Sequence, residues 1–75
     1  MFEVGRVVMK IAGRDAGKIG VVIKLIDDKF VMIDGFTRRK KVNIKHLVPL
    51  KKIINIKEEA KREEILPLLE PLIKK

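Results

Sequence analysis

The chain has no cysteine, serine, tryptophan or tyrosine, and a single histidine, His46. Without cysteine there is neither a disulfide nor a thiolate metal site, so packing alone must hold the fold. A domain of this size buries only about 60% of its unfolded surface, which leaves a small core. A lone histidine does not hold a metal, and no cysteine, serine or second histidine stands beside it to make a nucleophile–base pair. The aromatic residues are Phe2, Phe30 and Phe36. They are too few for a platform that stacks single-stranded bases, or for an aromatic groove that takes proline-rich peptides. No apolar run approaches the roughly 20 residues of a membrane span, and the N-terminus lacks a secretory-signal pattern. The expectation is one small domain starting at Met1, cytoplasmic, with no membrane partner, cofactor, metal or catalytic residue.

Acid is missing from one particular stretch. Gly35 to Lys52 contains Arg38, Arg39, Lys40, Lys41, Lys45, Lys51 and Lys52 and no Asp or Glu. Solvated faces normally mix both signs. Uncompensated cations repel one another at some cost in stability. A polyanion removes that repulsion and releases counterions as it binds. The net charge is +8, and all of it lies in residues 1–56, with thirteen Lys/Arg against five Asp/Glu. Residues 57–75 carry five of each sign and are neutral. The two parts read as a basic, β-rich domain over 1–56 and a helical tail over 57–75 that packs on it or on a partner.

The β-rich part is organised around Gly13-Arg14-Asp15-Ala16-Gly17-Lys18-Ile19-Gly20. Two β-rich runs, 5–12 and 19–26, flank this short loop and read as a hairpin. Gly13 and Gly17 allow a sharp turn through positive φ. Gly20, inside the second run, marks a bulge, a bend or a closely lying backbone. Strict alternation puts Val7, Met9 and Ile11 on one face of the first strand, and Val21, Ile23 and Leu25 inward on the second. Further strands are expected at 30–33, 42–45 and 50–54. Asp27-Asp28-Lys29 is a polar turn, and Asp34-Gly35 ends the third strand as a turn dipeptide. Pro49 belongs at a sheet edge or a strand start. At Asn55 the period changes. Asn55 with Glu58 resembles an N-cap and its capping-box partner, and Glu58 with Arg62 an i, i+4 ion pair. The helix is expected to stop near Leu66, before Pro67.

Two phosphate-binding readings of the glycine loop fail on spacing and context. A P-loop needs four residues between its glycines and Ser or Thr after the lysine; here three intervene and Ile19 follows. Gly17-Lys18-Ile19-Gly20 matches the Gly-x-x-Gly of a KH domain, but that loop joins helices and these flanks are β.

Five short strands with a glycine-bent hairpin, then a helix, indicate a mainly β fold, a small five-stranded SH3-like barrel with a C-terminal helix. Gly5-Arg6-Val7-Val8-Met9-Lys10, with Gly13 to Val22, resembles the KOW motif of several ribosomal proteins and transcription elongation factors. Phe30 to Gly35, then Arg38-Arg39-Lys40-Lys41-Val42-Asn43, His46-Leu47 and the acidic–basic tail extend the resemblance. Over nearly the whole chain it is similar to the large-subunit ribosomal protein L-fourteen-e family of archaea and eukaryotes. It lacks the long basic extension of eukaryotic members, as archaeal forms do.

That resemblance implies a structural, non-enzymatic constituent of the large ribosomal subunit. Its partners would be ribosomal RNA and neighbouring large-subunit proteins. It would have no small-molecule substrate and would be a monomer outside the ribosome. Candidate RNA contacts are Arg14, Lys18, Arg38, Arg39, Lys40, Lys41, Lys45, His46, Lys51 and Lys52; Gly13, Gly17, Gly20 and Gly35 are structural. The alternatives are a KOW module of a transcription elongation factor and a non-RNA SH3-like adaptor.

Overall fold

A computed structural model describes residues 2–73. Five strands form one antiparallel sheet: β1 (Arg6–Lys10), β2 (Ile19–Leu25), β3 (Phe30–Gly35), β4 (Lys40–Asn43) and β5 (Leu47–Ile53). Their order across the sheet is β4-β3-β2-β1-β5. A short 3-10 turn, Ile44–His46, joins β4 to β5, and the helix α1 spans Arg62–Ile73. This order, with the 3-10 turn between the last two strands, fits an SH3-like barrel. Pro49 lies inside β5, opposite Val8, and β5 is an edge strand, where a missing N–H is tolerated.

Apolar side chains fill both faces of the sheet. Val8, Val22, Val31, Ile33, Val42 and Leu47 form one cluster. Val7, Val21 and Ile23 form the other, with Ile54, Ala60, Ile65 and Leu69 from the C-terminal segment. Neighbouring valines therefore enter different cores, Val7 and Val21 beneath the helix, Val8 and Val22 on the opposite side. This corrects the one-faced alternation expected from sequence. Val8 and Val22 are as buried as Val7 and Val21, whereas Leu25 and Ile11 are about half exposed. A sheet covered on both faces needs continuous apolar runs, and the ends of the strands project beyond the cover.

The helix begins later and runs further than its local sequence suggests. Residues 54–61 are irregular, and Asn55 and Glu58 cap nothing. The capping contact belongs to Glu64, whose Oε1 accepts the Lys61 N–H at 3.0 Å, three residues on. Glu58 precedes the helix, so the expected i, i+4 pair with Arg62 does not form; Arg62 bonds Asp34. Pro67 and Pro71 lie within α1. Each removes a bond to the carbonyl four residues earlier, at a typical cost of about 3 kcal/mol. Those carbonyls belong to Glu63 and Pro67, both exposed residues, so water can satisfy them. Ile65 and Leu69, one turn apart, are fully buried on the opposite side and hold the helix to the sheet.

Asp34-Gly35 closes β3 and is not a turn; Asp34 is buried. Gly35 pairs with Gly20 across β2 and β3. A Cβ on Gly35 would lie 2.9 Å from Leu69 Cδ2, and one on Gly20 2.8 Å from Thr37 Oγ1 and 3.0 Å from the Asp34 carbonyl oxygen. Gly20 thus serves close approach, and the irregular register of this strand pair falls between Val22 and Lys24. Gly17 faces open space but has φ +89°. Gly20→Val is expected to cost about 1–3 kcal/mol through overpacking, and Gly17→Val a similar amount, about 1–3 kcal/mol, through backbone strain. Thermal melts check both, and midpoints unchanged within error would refute the conformational requirement.

Candidate nucleic-acid interface

The β1–β2 loop is built from its own strand ends. The Gly17 N–H donates to the Lys10 carbonyl at 2.7 Å, and the Lys10 N–H to the Lys18 carbonyl at 2.9 Å. Lys10 is 5% exposed, and its Nζ donates to the Ala12 carbonyl at 2.6 Å beneath the loop. Gly13, also at positive φ, leaves room for that ammonium; a Cβ there would lie 2.9 Å from Nζ. Sequence reading assigned Lys10 no role, because alternation alone places it on a strand face with nothing to bury it.

This loop meets the β3–β4 connection through one carboxylate. Asp15, buried, accepts the Arg38 backbone N–H at Oδ2 (2.9 Å), and Lys18 Nζ lies 3.6 Å from Oδ1. The Arg38 N–H, with Lys18, outweighs burial and holds the Asp15 carboxyl below its usual range. Arg14, Lys18 and Arg38 are thereby brought to one end of the sheet, all exposed.

The next cations sit on β4 and the 3-10 turn. β4 is the edge strand opposite β5, so Lys40 and Lys41 flank unpaired backbone. A cleft of about 320 Å³ is lined by Lys10, Phe30, Lys40, Lys41, Asn43 and His46. The Lys41 ammonium lies 4.6 Å from the Phe30 ring centroid and occupies one face of that ring. The Asn43 side chain accepts the Lys45 N–H at 2.9 Å, which shapes the turn presenting Lys45 and His46. Strand β4 was expected at 42–45. It forms at 40–43 because this side-chain cap diverts Ile44–His46 into the turn.

Three expected RNA contacts have partners within the chain: Lys18, paired with Asp15 as above, Arg39 and Lys52. The Arg39 guanidinium bonds Asp34 Oδ2 (2.9 Å) and the Ala60 carbonyl (3.0 Å). Lys52 Nζ donates to the Leu72 carbonyl at 2.8 Å, where a cation complements the helix C-terminus. By contrast, five ion pairs join described residues, and none involves Arg14, Arg38, Lys40, Lys41, Lys45 or Lys51. These six cations are all exposed. Lys51 lies on β5, apart from the β4 cleft.

Asp34 is the structural counterweight that sequence reading missed. Its carboxylate, 2% exposed, accepts from Arg39, from Arg62 Nε (2.9 Å) and from the Gly35 N–H (2.7 Å). It therefore ties β3, the basic connection and the start of α1 together. Burial pushes the Asp34 carboxyl up, but the Gly35 N–H, Arg62 and Arg39 together outweigh it and hold the group below the usual carboxylate range. A depressed folded-state pKa contributes stability that is present above the unfolded value, near 4, and is lost as pH falls through the folded value. Unfolding at pH 7 and at pH 3 should show this loss. Asp34→Asn is expected to cost about 2–4 kcal/mol at pH 7, because it leaves two guanidiniums without their anion. It should also flatten the acid-side decline, and an equally steep decline in the variant would exclude Asp34 as its source.

Among the described residues no three His, Cys, Asp or Glu side chains come together as a metal site. Among the same residues no helix is long and apolar enough to cross a membrane.

Comparison with known proteins places the sequence beside ribosomal proteins. The KOW motif matches residues 4–34, the part running from just before β1 to Asp34. The chain is 44% identical to the large ribosomal subunit protein eL14 of Pyrobaculum calidifontis, over 93% of this chain and 73% of that one. It is 45% identical to the eL14 of Desulfurococcus amylolyticus, over 85% and 72%. It is 41% identical to that of Methanococcus maripaludis, over 84% and 82%. With a KOW-type β-sheet and such identity over most of both chains, this protein belongs to the archaeal eL14 family of large-subunit ribosomal proteins.

Proposed function

We infer that the chain is a structural, non-enzymatic constituent of the large ribosomal subunit in the cytoplasm. It holds ribosomal RNA by phosphate contacts from the face formed by the β1–β2 loop, the β3–β4 connection, β4 and the 3-10 turn. The observation that carries this reading is the set of exposed cations that pair with no carboxylate among the described residues, Arg14, Arg38, Lys40, Lys41 and Lys45, grouped near the β4 edge. Edge strands that offer lysine rather than apolar surface are shielded from pairing with other strands. The same lysines place charge where a phosphate backbone can run past. Lys18 and His46 join this face, and Lys51 lies beyond it on β5.

The chemistry favours folded RNA over single strands. Phe30 already carries Lys41 on one face, and there is no Tyr or Trp to stack bases. The same scarcity disfavours an SH3-type peptide adaptor, and the names of the relatives disfavour a transcription elongation module. Partners are therefore ribosomal RNA and adjoining large-subunit proteins, and the free chain is a monomer. Fractionation of cell extracts tests the assignment. Co-sedimentation with large subunits is expected, with release at high salt. A chain found only in the free-protein fractions would refute it.

A further inference from the structure

One groove on the molecule has the opposite chemistry from the basic face. It lies between α1 and the segment leading into it, and has a volume of about 370 Å³. Ile56, Ala60, Pro67 and Leu68 supply apolar walls, and Glu63 and Glu64 stand along it. Leu68 is 44% exposed although its neighbour Leu69 is fully buried. Pro67, without an N–H and with a fixed ring, makes that wall rigid. Glu64 uses Oε1 to cap the helix. Glu63 is exposed and has no ion pair among the described residues. Lys57 is the one cation at the groove.

The geometry points to this groove as the docking site for a segment of a neighbouring large-subunit protein that carries leucine or isoleucine beside lysine or arginine. The inference rests on the ribosomal reading above. Charge decides the occupant. The net charge of +8 resides in residues 1–56, yet this groove presents two carboxylates. Phosphates are repelled by Glu63 and Glu64, so RNA does not suit it. A wholly apolar partner would desolvate those carboxylates with nothing in return. A basic segment with an apolar side chain satisfies both at once. Proteins that pack among RNA phosphates carry excess positive charge, as this one does with pI near 10.1, so suitable segments are close at hand. A groove of this size holds two or three side chains and binds weakly alone. It becomes effective when the RNA face fixes the protein in place and raises the local concentration of its neighbour.

The test uses the full chain assembled in large subunits. A benzoylphenylalanine photoprobe replaces Leu68 in one variant and Lys40 in another. On irradiation, position 68 is expected to yield an adduct with another protein, mapped by mass spectrometry to a segment containing Lys or Arg. Adding Glu63→Lys to the position-68 variant should lower that yield at least fivefold. In the position-40 variant the same change should leave the RNA adduct intact. An adduct at position 68 with RNA, with a second copy of this chain, or with nothing would overturn the docking proposal. A yield insensitive to Glu63→Lys would overturn it as well. Failure of the RNA adduct at position 40 would instead count against the RNA face, and the outcome at position 68 would still decide the groove.

Discussion

Leu69→Ala is expected to destabilise the protein by about 3–5 kcal/mol, the range for emptying a fully buried leucine site. Leu69 is 0% exposed and its Cδ2 lies against Gly35, which has no side chain of its own to fill the space. The same cluster holds Val7, Val21 and Ile23 from the sheet, so the loss is shared by the barrel and is not confined to the helix. A small domain has only about 5–15 kcal/mol in total, so the variant should lose much of its cooperative unfolding transition. Urea unfolding followed by far-ultraviolet circular dichroism measures the change. A loss below about 1 kcal/mol would mean that α1 is an appendage. Leu68→Ala, one position along and largely exposed, provides the contrast and should cost little.

The second large effect concerns RNA. Replacing Arg38, Lys40 and Lys41 together by Ala should lower affinity for structured large-subunit RNA by roughly 10²-fold or more near 0.15 M salt, at one charge-assisted contact for each side chain. The fold should survive, because none of the three side chains has an ion pair within the described chain. Lys41 gives up only its position over Phe30. Arg39→Ala should behave differently. That side chain bonds Asp34 and the Ala60 carbonyl, so its removal should appear first as lost stability.

The hairpin was legible because glycine needs no partner to reveal itself. Gly13 and Gly17 both stand at positive φ in the loop between two β-rich runs. The basic stretch was legible as an absence of acid, which no packing can supply later. The helix start was misread because Asn55 with Glu58 carries both halves of a capping box, whereas Lys61 with Glu64 supplies only the glutamate half. Asn55 with Glu58 is the better local match, but the helix starts beside Lys61, whose N–H bonds Glu64, and it buries Ile65 and Leu69 against the sheet. Pro67 did not mark the end, because the carbonyl it leaves without a helical donor belongs to the exposed Glu63, within reach of water. The alternation in β1 and β2 failed because a second core, hidden in the C-terminal segment, covers the other face. Asp34 stayed hidden for a related reason. Asp-Gly reads as a turn, and only the fold brings Arg62 from 28 residues away to its carboxylate. Arg39 and Arg38 look equivalent in sequence, yet one guanidinium is held within the fold and the other makes no ion pair among the described residues.

The central claim is that the β4 side of the barrel, and not net charge in general, holds the RNA. A salt titration of binding to structured large-subunit RNA tests it most directly, comparing the native chain, the Arg38/Lys40/Lys41 triple-Ala variant and a Lys57/Lys61 double-Ala variant. Six or seven phosphate contacts would give the native chain a log–log slope of roughly −5 to −6. The triple variant should be shallower by about two to three units, and the double variant by less than about one. Equal flattening per charge removed in both variants, or a steeper change in the double variant, would contradict the account and put the RNA elsewhere on the molecule.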